Sequence, residues 1–151
     1  MATQAKVSAA ITDLIVINND RYEGYKTASQ ETKDSDLKDL FNKYSMQSNG
    51  FASELRQFVP AGSDQPERDE TKTTGKLYRT WMDLKSAVTA HDRKAILASC
   101  EFGEDTAKKH YEDALENTEE IPSGALEIVR KQSAEIKQAH DRIKALRDST
   151  K

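Results

Sequence analysis

The stretch PAGSDQPERDETKTTGKLYRTWMDLKSAVTA, residues 60–90, decides how this chain folds. Its first half, Pro60 to Thr74, is rich in Gly, Ser, Asp, Pro and Thr and lacks large apolar side chains, the composition of an exposed loop. From Gly75 to Ala90, Leu77, Trp81, Leu84 and Val88 fall at i, i+4, i+7 and i+11. That is one helical stripe, so the spacing predicts a short helix that docks through Trp81. His91-Asp92 breaks it, and Asp92 is a candidate N-cap for the next helix. The chain has prolines at 60, 66 and 122 only. Proline removes a backbone donor and clashes with the preceding turn, so the spans between these positions are free of the strongest helix breaker.

Outward from this stretch, the apolar pattern predicts four long helices. The first runs from about Gln4 to Gln30, with Val7, Ile11, Leu14, Asn18, Tyr22 and Tyr25 recurring every three or four residues. A polar turn at Thr32 to Ser35 offers Asp34 or Ser35 as N-cap of the second, which runs through Leu37, Leu40, Phe41, Tyr44, Gln47 or Ser48, Phe51, Leu55 and Phe58 to about Val59. The third spans Arg93 to about Asn117, with Ile96, Leu97, Cys100, Glu104, Ala107, Tyr111 and Leu115 inward. Pro122-Ser123-Gly124 resets the chain, and Ser123 is expected to cap a last helix that reaches about Asp148 through Leu126, Val129, Ser133, Ile136, His140, Ile143 and Leu146. Glycines 24, 50 and 103 fall inside these helices, where each costs about 1 kcal/mol relative to Ala. Close approach between helices is the expected reason. His91 and His110 read as surface or loop residues.

Connectivity follows from lengths. Short turns make each pair of long helices an antiparallel hairpin. A helix over residues 75–90 covers about 24 Å at 1.5 Å per residue, enough to carry the chain from one end of the bundle to the other. The second and third long helices then run parallel. The expectation is an all-α, ferritin-like four-helix bundle with an extra short helix in the long crossover between helices two and three, and residues 1–151 as a single domain.

Composition limits the function classes. Charged residues make up 32% of the chain and the net charge is −3 with both signs mixed, so no basic stripe invites nucleic acid or an anionic membrane. The longest apolar run, Leu14 to Ile17, is too short to cross a bilayer, and Met1 to Ala10 lacks the charged lead and apolar stretch of a signal peptide. The single cysteine, Cys100, forms no internal disulfide and fits a reducing cytoplasm. At helical spacing among Ile96, Leu97 and Ala107 it reads as a small core residue. The partner is unidentified, and a homo-oligomer stays open.

Ferritin-like bundles hold a dimetal site between their helices, and that chemistry needs a Glu from each of two helices plus a Glu-x-x-His from each of the other two. The second helix offers Gln47-Ser48-Asn49-Gly50 instead, and the fourth offers Glu135-Ile136-Lys137-Gln138. Neutral amides do not supply the charge that two divalent ions require. The expected interior is therefore a hydrogen-bonded polar cluster of Asn18, Tyr22, Tyr44, Gln47, Glu101, Glu104 and His140. In it Glu104 faces Gln47 and Asn18, and His140 faces Glu101 and the tyrosine hydroxyls. No cofactor is expected. The alternative is an iron or manganese site on Glu101, Glu104 and His140.

Four segments carry a family resemblance: Asp20 to Tyr25 with Gly24-Tyr25; Gly75 to Leu84 with Trp81-Met82-Asp83-Leu84 and Lys85 beyond; Cys100 to Tyr111 with Glu101, Gly103, Glu104, Asp105 and Tyr111; and Ala139 to Asp148 with His140-Asp141-Arg142-Ile143 and Leu146-Arg147-Asp148. Together they resemble an uncharacterised bacterial family of ferritin-like four-helix bundles, a domain of unknown function. The resemblance implies that fold, a bacterial cytoplasmic setting and an association with stress, and it carries no established activity. It marks Asp20, Gly24, Tyr25, Glu101, Glu104, Tyr111 and His140 as motif residues. Asp20-Arg21 stands where the family has Asp-Gly, a minor departure. The leading expectation is a non-enzymatic bundle with a structural or stress-associated binding role. The alternative is a metal-binding protein with weak oxidase or peroxidase activity, and a weaker third reading is a binding module using the outer face of the crossover helix.

Overall fold

Thr3 starts the first helix by accepting a hydrogen bond from the Lys6 amide on its side-chain oxygen, at 3.2 Å. In the computed structural model, which describes residues 3–59 and 92–150 with Ser86 and Ala90 between them, α1 then runs Gln4–Glu31. A three-residue turn at Thr32 to Asp34 leads into α2, Ser35–Arg56. Asp34 occupies the N-cap position but makes no capping bond, because its carboxylate turns to Arg93. Helix α2 ends earlier than its stripe suggests, since the Phe58 and Val59 amides close tight turns onto Leu55 and Arg56.

Helix α3 spans Arg93–Glu116, and the Asp92 carboxylate caps it by accepting from the Ala95 amide at 3.1 Å. A single 3-10 turn at Thr118–Glu120 follows. The expected Ser123 cap does not form. Residues 122–125 make a turn closed by the Ala125 amide on the Pro122 carbonyl, so α4, Leu126–Asp148, starts behind Ala125. Gly124 allows that turn with φ at +90°, a value open to glycine at no steric cost.

Among the described residues the structure is all-helical, with four α-helices and no strand. No helix among them is long and apolar enough to cross a membrane. The loop expected at 60–74, and the Leu77, Trp81, Leu84 and Val88 stripe of the crossover helix, lie outside the described residues.

Contacts between helices fix their directions. Ser45 on α2 meets the Tyr22 carbonyl and Phe41 meets the Tyr25 ring, so residue numbers fall along α2 as they rise along α1. The same opposition holds between α3 and α4, where Tyr111 meets Gln132 and Glu101 meets Arg147. It holds again between α1 and α3, through Asp13 with His110 and Tyr25 with Glu104. Helices α2 and α3 therefore run the same way. Arg93 at the start of α3 marks their common end by pairing with Asp34 and Asp36 at the start of α2, at 3.2 and 2.7 Å.

Among the described residues two apolar clusters fill the interior. One joins Ile11, Leu14 and Ile15 of α1 with Phe51 and Leu55 of α2, Ala107 and Tyr111 of α3, and Val129 and Ile136 of α4. The other joins Tyr25 and Ala28 with Leu37, Phe41, Tyr44, Ile96, Leu97, Cys100, Ala139 and Ile143. Helix α1 is buried on every side from Leu14 to Arg21, more than a stripe requires. Two glycine and histidine expectations change. A Cβ on Gly50 would meet nothing within 4 Å, so close helix approach does not explain it. His110 sits within α3, half-buried against Asp13 at 2.6 Å, rather than in a loop.

Candidate functional site

Between the two apolar clusters lies a layer of polar side chains. Asn18 and Arg21 are one turn apart on α1, so they face the same side. Arg21 is fully buried, which no ordinary arginine is without a partner of opposite charge. Its partner is Glu104 on α3. The guanidinium donates to Glu104 Oε1 from Nε at 3.1 Å and from Nη2 at 2.8 Å. Nη2 also reaches Gln47 Oε1 on α2 at 3.2 Å. The Tyr25 hydroxyl donates to the same Glu104 oxygen. One carboxylate oxygen thus gathers three hydrogen bonds from α1, and the guanidinium links them to α2.

A second group beside it is neutral. The Tyr111 hydroxyl accepts from Asn18 Nδ2 at 2.7 Å and donates to Gln132 Oε1 on α4 at 2.6 Å. Gln132 Nε2 donates in turn to the Phe51 carbonyl of α2, at 3.3 Å. All four helices therefore contribute to this polar layer.

Burial and charge set the acidities. Burial alone would lower the Arg21 pKa, but the Glu104 carboxylate, with Tyr25 and Tyr111 beside it, outweighs that and holds the guanidinium above its ordinary value. Burial, reinforced by Glu104, pushes the Tyr25 hydroxyl well above the ordinary phenol range. The same two causes raise Tyr44 and the Cys100 thiol, and burial raises Tyr111. A thiol kept neutral inside an apolar cluster is a poor nucleophile.

The structure brings only part of the expected cluster together. Asn18, Gln47 and Glu104 belong to the layer, but Glu104 bonds to Arg21 and Tyr25 rather than to Asn18 and Gln47 directly. Tyr44 is buried against the Tyr25 ring, with centroids 5.4 Å apart. Tyr22 is half-buried, and its ring carries the Lys26 ammonium at 5.4 Å. Glu101 turns away to Arg147 at 2.5 Å. His140 does not meet Glu101 or a tyrosine. Its Nε2 lies 2.7 Å from Asp105 and its Nδ1 3.0 Å from Asp141.

The three residues of the iron or manganese alternative, Glu101, Glu104 and His140, bond to three different partners, Arg147, Arg21 and Asp105, while Glu101 Oε1 and Glu104 Oε2 carry no hydrogen bond. Among the described residues no group of three or more His, Cys, Asp or Glu side chains could hold a metal ion. A divalent cation at Glu104 would also sit against a buried guanidinium, a like charge in a poorly screened interior.

Arg21, Tyr25, Tyr111 and Gln132 are the layer residues that the inner polar cluster omitted. Arg21 falls four residues from both Ile17 and Tyr25, and Gln132 three from Val129 and four from Ile136, so helical spacing alone places both on buried faces.

A comparison with protein families matches residues 6–117 to a domain of unknown function, DUF2383. The chain belongs to the DUF2383 family. The match covers α1, α2 and α3 and stops before α4, so the 139–148 segment that contributed to the resemblance lies beyond it. In this DUF2383 domain the Arg21–Glu104–Tyr25 group falls wholly inside the matched span, while Gln132 does not. No curated protein and no solved structure matches the chain.

Proposed function

We propose that this DUF2383 protein is a ferritin-like four-helix bundle of the bacterial cytoplasm, with a structural or stress-associated binding role and no reaction of its own. Two antiparallel hairpins with parallel central helices support the ferritin-like reading, because a long crossover is the connection that such directions require. One observation carries the non-enzymatic reading. Glu104 is the carboxylate at the height where a bundle of this kind would hold metal, and it is neutralised by Arg21 and bonded by Tyr25. A cation beside this carboxylate would face the buried guanidinium as a like charge, although Glu104 Oε2 itself carries no hydrogen bond.

Protein purified from cells supplied with iron and manganese tests this. Elemental analysis is expected to give sub-stoichiometric metal that does not change in Glu104→Ala, with no peroxide consumption above that of buffer. Two ions per chain, lost in Glu104→Ala, would return the dimetal reading.

A further inference from the structure

We propose that the Arg21–Glu104 pair is a register key: it fixes how the hairpin of α3 and α4 docks on the hairpin of α1 and α2, more than it holds the two together.

The apolar clusters are poor at specifying that docking. Helix α3 presents Ile96, Leu97, Cys100 and Ala107 toward its neighbours, an aliphatic and small series that repeats about every turn. Sliding α3 by one turn along α1, about 5.4 Å, exchanges one such residue for the next and keeps apolar surface against apolar surface. The polar layer does not tolerate the same slip. Glu104 Oε1 sits within hydrogen-bond distance of Arg21 Nε, Arg21 Nη2 and the Tyr25 hydroxyl at once, and all three donors stand on α1. Displaced by a turn, the carboxylate would lie among apolar side chains of either cluster, and the guanidinium would lose the counter-charge it has at 2.8 Å. An uncompensated charge in an interior is far more costly than an imperfect apolar contact. The neutral group supports the same register, since Asn18 on α1 and Gln132 on α4 must reach the Tyr111 hydroxyl together.

Buried ion pairs are well suited to this task, because desolvation of both ions cancels much of their attraction. Replacing both with apolar residues of similar size, together with Tyr25→Phe so that no buried hydroxyl loses its acceptor, therefore keeps the fold's stability and removes its preference for one register.

Two exposed side chains make natural reporters, one on each hairpin: Met46 on α2, 76% exposed, and Phe102 on α3, 45% exposed. Nitroxide labels on Met46→Cys and Phe102→Cys, in a Cys100→Ala background, give the distance between hairpins by pulsed electron resonance. With Arg21 and Glu104 present, one narrow distance distribution is expected. In Arg21→Met/Tyr25→Phe/Glu104→Leu, which leaves no member of the group stranded, the protein is expected to unfold in urea at a midpoint equal to or above that of the parent, while the distribution splits or broadens by about one helical turn. Its amide resonances are expected to double or broaden to match. A folded triple variant that keeps one narrow distribution and one sharp set of resonances overturns the proposal. So does a triple variant that fails to fold, since that would make the pair a source of stability.

Discussion

Arg21 in the middle of the bundle and Arg93 at its end make the same kind of bond in opposite surroundings. Both guanidiniums engage acidic groups on another helix or its cap at distances of 2.7–3.2 Å. Arg21 and Glu104 are sealed from water, whereas the side chains of Arg93, Asp34 and Asp36 are substantially exposed. Exposed pairs are solvated before and after they form, so little is gained or lost. A buried pair has given up its hydration, and each partner depends on the other for compensation. Distance alone therefore says nothing about which contact matters. Asp36, though largely exposed, is held below its usual carboxylate range by the Arg93 hydrogen bond, so an interaction can be visible in acidity while contributing little to the fold.

The sharpest way to break this contrast is to remove one buried partner. Arg21→Met leaves Glu104 in the interior without its cation and is expected to cost about 3–5 kcal/mol in urea unfolding. A cost under about 1 kcal/mol would erase the distinction between middle and end.

Alkali is the next largest perturbation, and it acts on the middle alone. Tyr25, Tyr111 and Cys100 are raised by burial, so the folded state keeps protons that the unfolded chain loses. Their stabilising contribution is fully present below the unfolded values, about 8.5 for Cys and about 10 for Tyr, and is lost as pH climbs toward the folded values. The urea midpoint is expected to hold to about pH 8.5 and then fall, with a loss on the order of 3 kcal/mol by pH 10. Cys100→Ala and Tyr111→Phe should each flatten that fall, and a midpoint constant to pH 10 would count against their burial.

Within the layer, Tyr111→Phe tests the neutral half. It leaves Gln132 Oε1 without its donor, while Asn18 Nδ2 keeps the Leu14 carbonyl at 2.9 Å. The expected cost is about 1–3 kcal/mol by the same measurement, smaller than for Arg21→Met because no charge is stranded.

Arg93→Ala is the smallest effect, below about 1 kcal/mol and abolished in 1 M salt, where the screening length is about 3 Å. A larger, salt-resistant loss would show the end clamp behaving like the core.

The helices were largely legible in the sequence because apolar spacing is a local property of each. The boundaries that failed did so through tight local turns that the apolar stripe does not register. Ser123 has the right chemistry for a cap, but the turn at Pro122 to Ala125 delays the helix past it. The layer was less legible. Asn18, Gln47 and Glu104 stand out as polar residues on inner faces, whereas Arg21 passes for a surface residue unless its spacing to Ile17 and Tyr25 is weighed above its charge. His140 and Glu101 lie on inner positions of facing helices, yet each has a closer partner of opposite charge or matching polarity at the rim, Asp105 and Arg147, that spacing along one helix cannot reveal.

The convergence of three donors on one oxygen of Glu104 has a consequence for inheritance. Loss of Arg21 or of Glu104 alone strands the other's charge in the interior, so neither position can drift by itself. Lineages should therefore cross this point by replacing Arg21 and Glu104 together.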